Sequence, residues 1–282
     1  MARPAGAETV DWGVGEYERT ALVLAPAARV LVDAAALRPR ERVVDVGCGT
    51  GNVALLAAAA GAHVTAFDPS SRLLGVTHGE AQRQHLGVTC EIGEAAALPS
   101  PDGSFDCLLS NFGIIFASDP DAAVSEIARV LRADGRALFT AWLPGGGIGA
   151  LSETFQALVR AALGAPPPAP GFAWHDEAAL RALFSRHGME ATVQSLHELV
   201  FTATSPEAYL EAEARSHPLA VAGLELLRQR GQADEAHVRL VKVLKDHNED
   251  VEGFRSTSRY AVVTARRVDG RPPTEPSTLP KS

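Results

Sequence analysis

The chain has 282 residues, 46% of them hydrophobic, and 26 Lys or Arg against 34 Asp or Glu set a formal charge of −8. That length and apolar content bury a sizeable core, while the acidic balance and lack of a basic cluster argue against a nucleic-acid binder. Three scattered cysteines, Cys48, Cys90 and Cys107, are too few for a disulfide framework or a zinc site and read as small reduced core residues.

The N-terminal stretch lacks the apolar segment of a secretory signal, and no apolar run is long enough to span a bilayer. A cytoplasmic protein without membrane insertion is therefore expected. Residues 1–8 and the Pro-rich tail 268–282 read as flexible ends of a single domain over 9–267.

In chain order, "RVVDV" (42–46) is a continuous β-branched run that predicts a buried strand, and "NVALLAAAAG" predicts a helix closed by Gly61. "HVTAFD" (63–68) is a second strand, followed by a helix from Ser70 to about His85 and a third strand, "GVTCEIG" (87–93). "SFDCLLSNFG" (104–113) is a fourth strand. "DPDAAVSEIARVLRADG" predicts a helix with Asp119 as N-cap, Pro120 in its first turn and a stop at Gly135. "RALFTAW" (136–142) is a fifth strand. Beyond Gly145 a glycine hinge opens an apolar helix, and "APPPAPG" (165–171) is a stiff connection. "DEAALRALFSRHG" is a helix capped by Asp176 and ended by Gly188. "MEATVQSLHELVFTA" and "STSRYAVVTARRV" read as the last two strands. A helical insertion over roughly 205–250 separates them, with Val238, Val241 and Leu244 at helical spacing.

Strands alternating with helices imply right-handed crossovers and an α/β, Rossmann-like, seven-stranded and mostly parallel sheet with helices on both faces. Ligands of such sheets bind outside the carboxyl ends of the strands. That rule gathers Gly47, Gly49, Gly51, Asp68, Glu94, Ser110 and Asn111 around one crevice. No Lys follows Gly51, which excludes a P-loop, and Asn52 stands where a dinucleotide fold has its third glycine. Asp45, just upstream, would repel a pyrophosphate and suits a cationic amino group, while backbone N–H groups of the opening helix suit a carboxylate. Asp68 is placed to accept from ribose hydroxyls and Glu94 from an exocyclic adenine amine. Together these positions describe a phosphate-free adenosyl amino acid, S-adenosylmethionine.

"VVDVGCGTGNVAL", "VTAFDPSSRLL", "GEAAALPSPDGSFDCLLSNFG" and "ARVLRADGRALFTAW" resemble, in order, the motifs of class I S-adenosylmethionine-dependent methyltransferases. The closest likeness is to the ubiquinone/menaquinone-biosynthesis type and similar bacterial small-molecule enzymes. It covers 12–143 well and the remainder only in layout. The resemblance implies that Asp45, Gly47 and Gly49 lie on the methionine moiety, Asp68 on the ribose, Glu94 with Ala95 on the adenine, and Ser110 with Asn111 at the methionyl end. "WGVGEYERTA" looks like the family's N-terminal helical cover, with Tyr17 near the cofactor, and 205–250 like a helical lid. "DPSSRLLGVTHGEA" and "LRADG" depart from the family's usual forms, the first where a more regular helix is common.

The implied activity is methyl transfer to an O, N or C nucleophile of a small-molecule acceptor, by in-line displacement that the protein assists through alignment and exclusion of water. The acceptor surface is expected from the N-terminal segment, the loop after Phe112 and the insertion. No catalytic residue is assigned; His217 and Tyr17 are the candidates, and a base is needed only for an acceptor protonated at neutral pH. None of the nine histidines has metal-ligand spacing, so no metal is expected. The chain is compatible with a homodimer. The rival reading is a non-catalytic S-adenosylmethionine-binding regulator or scaffold.

Overall fold

A central strand covered on both faces needs apolar residues at consecutive positions, and β1 (Arg42–Val46) supplies them. Its side chains part to opposite layers. Val43 joins Leu24, Ala28 and Leu31 of α1 (Tyr17–Ala35) and Val53 and Ala57 of α2 (Asn52–Ala59). Val44 and Val46 join Val124 and Ile127 of α4 (Pro120–Val130) and Leu180 and Phe184 of α6 (Glu177–Ser185). The period of two also sends Asp45 to the side of α1 and α2, which matters for the site.

The remaining elements are β2 (His63–Asp68), α3 (Ser71–Arg83), β3 (Val88–Ile92), β4 (Phe105–Asn111), β5 (Leu131–Trp142), α5 (Gly146–Ala162), β6 (Met189–Ala203), α7 (Pro206–Ser216), α8 (Pro218–Gln229), α9 (Ala233–Asp246) and β7 (Phe254–Arg267). This computed structural model describes residues 11–166 and 171–268. The tails expected to be flexible, except Val268, and most of the Pro-rich connection lie outside the described residues.

The seven strands form one sheet in the order β3-β2-β1-β4-β5-β7-β6. The first five pair in parallel, and β7 runs antiparallel between β5 and β6. After β1 the chain moves outward to β2 and β3, then returns to lay β4 on the other flank of β1. The crevice of a doubly wound sheet forms at that reversal, beyond the carboxyl ends of β1 and β4.

Expected caps are present. Asp119 accepts from the Ala122 N–H at 3.0 Å with Pro120 opening α4, and Asp176 accepts from Ala179 at 2.8 Å. The end of α4 differs from expectation. The helix stops at Val130, not Gly135, because Leu131 is drawn into the sheet opposite Phe105 while Arg136 pairs with Cys107. The intervening residues bulge outward, and Gly135 lies so close to the Arg132 carbonyl that a Cβ would stand 3.0 Å from it.

The helices α7, α8 and α9 join β6 to β7, where the helical insertion was expected. The start of α1 meets the end of α7: the Glu16 N–H donates to the Arg215 carbonyl at 3.1 Å. Among the described residues no helix is long and apolar enough to cross a membrane.

Candidate functional site

The turn after β1 is bound to its neighbours by its own backbone. Gly47 and Cys48 both donate to the Phe67 carbonyl, at 2.8 and 3.0 Å, and so fasten the turn to β2. Gly47 has φ of +68° and meets the turn after β4 main chain to main chain: a Cβ there would lie 2.8 Å from Gly113 Cα. A Cβ on Gly113 would in turn lie 2.7 Å from the Val46 carbonyl oxygen. Gly49 sits beneath the ring of Tyr17, and Gly51 (φ +90°) backs onto Thr77, whose hydroxyl donates to the Gly49 carbonyl at 2.9 Å. Each glycine is thus already required by the protein's own packing.

Two carboxylates brace this turn. Asp45 reaches across to the start of α2, where Oδ2 accepts from the Ala54 N–H at 2.9 Å, capping the helix from a neighbouring strand. Its Oδ1 is buried with no partner among the described residues. Burial, and secondarily the charge of Asp68, pushes the Asp45 carboxyl up to about 8 against the lowering bond from Ala54. Asp68 accepts from Gly49 N–H through Oδ2 and from Ser70 N–H through Oδ1, both at 2.9 Å. Burial also raises its pKa, and those two backbone bonds lower it.

Tyr17 lies over the turn, its pKa pushed up to about 12 by burial and then by the charges of Asp68 and Cys48. At neutral pH it is a hydroxyl donor rather than a base. With Asp45, Gly47 and Asn111 it bounds a space of about 20 Å³, room for only a water or two. Asn111 is fixed there by Thr140, whose hydroxyl donates to Oδ1 at 3.0 Å. Ser110 is not brought to the crevice by its side chain. It is fully buried, its Oγ donates to the Val46 carbonyl at 2.6 Å, and it accepts from the Ile114 N–H at 2.9 Å. Glu94 is exposed just beyond β3, and the neighbouring Gly93 N–H donates to the Asp68 carbonyl at 3.3 Å; Ala95 is half-buried.

Above the crevice, three segments distant in the chain meet through aromatic rings. Trp12 stands 4.7 Å from Phe116, 6.4 Å from Tyr17 and 6.2 Å from His217, centroid to centroid. His217 occupies the joint between α7 and α8, and burial drops its pKa to about 4, so it is neutral at pH 7. Phe112 and Trp142 stack on each other at 4.0 Å, with Phe112 buried. Phe112 holds φ of +58°, a strained angle for a bulky residue, kept by that stack and by its N–H to the Thr140 hydroxyl at 2.8 Å.

Residue-by-residue reading overlooked Thr77 and Gly113. Thr77 had a signal, being the polar member of the buried face Leu73, Leu74, Thr77 and Ala81 of α3. Gly113 had only its place after a strand; its contact with Gly47 depends on the sheet order.

Residues 44–139 match the family model described as a methyltransferase domain. An uncharacterized protein of Mycobacterium tuberculosis is 33% identical over 232 residues, covering 77% of this chain and 83% of that protein. The ubiquinone/menaquinone biosynthesis C-methyltransferase of Rubrivivax gelatinosus is 44% identical over 110 residues, 39% of this chain and 43% of the relative. The crystal structure of the YcgJ protein from Bacillus subtilis shares the fold, with a TM-score of 0.61 at 19% identity over 87% of this chain and 99% of that one.

Proposed function

The chain belongs to the class I S-adenosylmethionine-dependent methyltransferases, and from that premise we propose that it methylates an O, N or C nucleophile of a small-molecule acceptor. The carrying observation is the bare, buried Oδ1 of Asp45 at a glycine turn. An acceptor oxygen in that position fits an ammonium and opposes a pyrophosphate. Asp45 and the backbone of Gly47 and Gly49 would hold the amino-acid end of the cofactor, with Gly51 opening the helix that takes its carboxylate. Asp68 would hold the ribose through lone pairs that its two backbone bonds leave over. Glu94 and Ala95 would flank the adenine, and Asn111 the methionyl end.

When bound, the cofactor supplies an activated methyl group on a sulfonium. The protein's own part is to align the acceptor and keep water away, and positioning of this kind is worth about 7–11 kcal/mol at its best. Residues 12–21 would act as a cover, and the helices α7, α8 and α9 as a lid, with Trp12, Phe116 and His217 facing the acceptor. Methyl-labelled S-adenosylmethionine offered with a panel of small amines, phenols and carboxylates tests the reading. Labelled product is expected; tight binding of S-adenosylhomocysteine with no transfer to any of them would favour the regulator.

Asp45 also predicts a proton linkage. In the folded protein its carboxyl titrates near 8, far above the ordinary range for the unfolded chain. The folded state therefore binds the proton more tightly; this stabilisation is complete below the unfolded value of 3.8, falls steadily as pH rises and is lost once pH has passed about 8. An ammonium beside Asp45 favours the ionised form, so binding S-adenosylhomocysteine at pH 7 should release up to about one proton. Affinity should accordingly strengthen from pH 6 to 8. Calorimetry in two buffers of different ionisation enthalpy reads the release, and Asp45→Asn should remove it; equal heats in both buffers for the wild type would sink the assignment.

A further inference from the structure

The helix α7 buries Tyr209, Leu210 and Ser216, and the helical repeat carries that stripe from Tyr209 through Glu213 to His217. An apolar residue is what the pattern calls for at 213. Glu213 is instead a half-buried carboxylate, with no hydrogen bond and no cation paired to it among the described residues. The groups that face it are few. Tyr209 and His217 flank it one turn either way on α7, and the Glu213 charge helps raise the Tyr209 pKa. Arg215 of the same helix is exposed, and Lys245 of α9 pairs with Glu207 at 2.6 Å. From the opposite side α1 meets α7 through the Glu16–Arg215 backbone bond, and one turn further along α1 the Thr20 hydroxyl is buried with no partner among the described residues.

A half-buried carboxylate without a counter-ion costs stability, and perturbed groups of this kind cluster at sites that bind something. Burial alone lifts the Glu213 carboxyl to about 7, the behaviour of an acid with no cation nearby. One helical turn along α7 from the acid, His217 meets Trp12, which in turn meets Phe116 and Tyr17, so a chain of aromatic rings runs from the next turn of α7 to the crevice. Carboxylate plus aromatic faces is the recognition chemistry of an ammonium ion. We propose that Glu213 is the counter-ion for a cationic amine on the acceptor, seated between α7 and the rings of Trp12 and Phe116. This rests on the methyltransferase reading for the role of the bound amine and goes beyond it by naming the acceptor's charge.

Benzylammonium and the neutral benzyl alcohol serve as matched probes, each titrated calorimetrically with and without saturating S-adenosylhomocysteine. The wild type is expected to prefer the cation by about tenfold or more, the scale of a charge-assisted bond. Glu213→Gln should erase the preference by weakening the cation and leaving the alcohol unchanged. Glu213→Leu should match or exceed the wild type in urea denaturation, whereas a structural carboxylate would make that variant less stable. A preference that survives Glu213→Gln, or none in the wild type, overturns the proposal. S-adenosylhomocysteine binding to the wild type is a separate signal. Its absence beside an intact Glu213-dependent preference strikes the methyl-donor reading and leaves the amine site standing.

Discussion

Gly47→Ala is expected to lower unfolding stability by about 3 kcal/mol, the sum of left-handed strain and of overpacking. The new methyl group would stand 2.8 Å from Gly113 Cα, and neither partner is a side chain that can rotate away. Either β1's turn or β4's must shift. The second is already strained at Phe112 and tied to β1 through Ser110. Gly103→Ala is the control, since Gly103 has φ of +60° with nothing within 4 Å of a Cβ. It should lose only the backbone component, about 1–2 kcal/mol. Urea denaturation of the two variants separates the contributions. If Gly47→Ala loses no more than Gly103→Ala, the turns do not bear on each other as described. The shifted turn should also abolish S-adenosylhomocysteine binding, because the backbone groups proposed to meet the amino-acid end move with it.

Asp68→Ala is expected to weaken S-adenosylhomocysteine binding by about 1.5–3 kcal/mol, roughly tenfold to more than a hundredfold. The same change strips the acceptor from the Gly49 and Ser70 N–H groups, both bonded at 2.9 Å. Each orphaned buried donor costs about 1–3 kcal/mol, so fold and ligand are damaged together. Asp68→Asn divides them. Its remaining carbonyl keeps one backbone bond and most of the shape, while the charge is lost. Affinity measured well below each variant's unfolding midpoint should fall in both, and stability chiefly in Asp68→Ala. Unchanged affinity in Asp68→Asn, with the fold intact, would mean the ribose is held elsewhere.

Much of the architecture was legible because it is written in local patterns. A β-branched run, a Pro after an Asp cap and a Gly after a helix are each read within a few residues, and β6 spans Met189–Ala203, the stretch that reads as a strand. The end of α4 departs from its local pattern for the same reason. "LRADG" looks like a helix stop, yet Leu131 answers to Phe105, a residue 26 positions earlier, across the sheet. The position of Ser110 at a strand's end points to the ligand side, and nothing local reveals that Val46 and Ile114 take up its hydroxyl. Glu213 had a faint signal, one acid at an inward position of α7, too common in single helices to stand out.

The order of strands and helices, the acids at the strand ends and the glycine turn follow from the chain alone, since periodicity and backbone freedom act between near neighbours. Which atoms those residues face was decided by the sheet's crossover. Laying β4 beside β1 pressed Gly113 onto Gly47, while the packing of the N-terminal segment against the helices between β6 and β7 brought Trp12, Phe116 and His217 together. Contacts between residues 66 to 205 positions apart depend on the packing of whole layers, which no short stretch of sequence encodes.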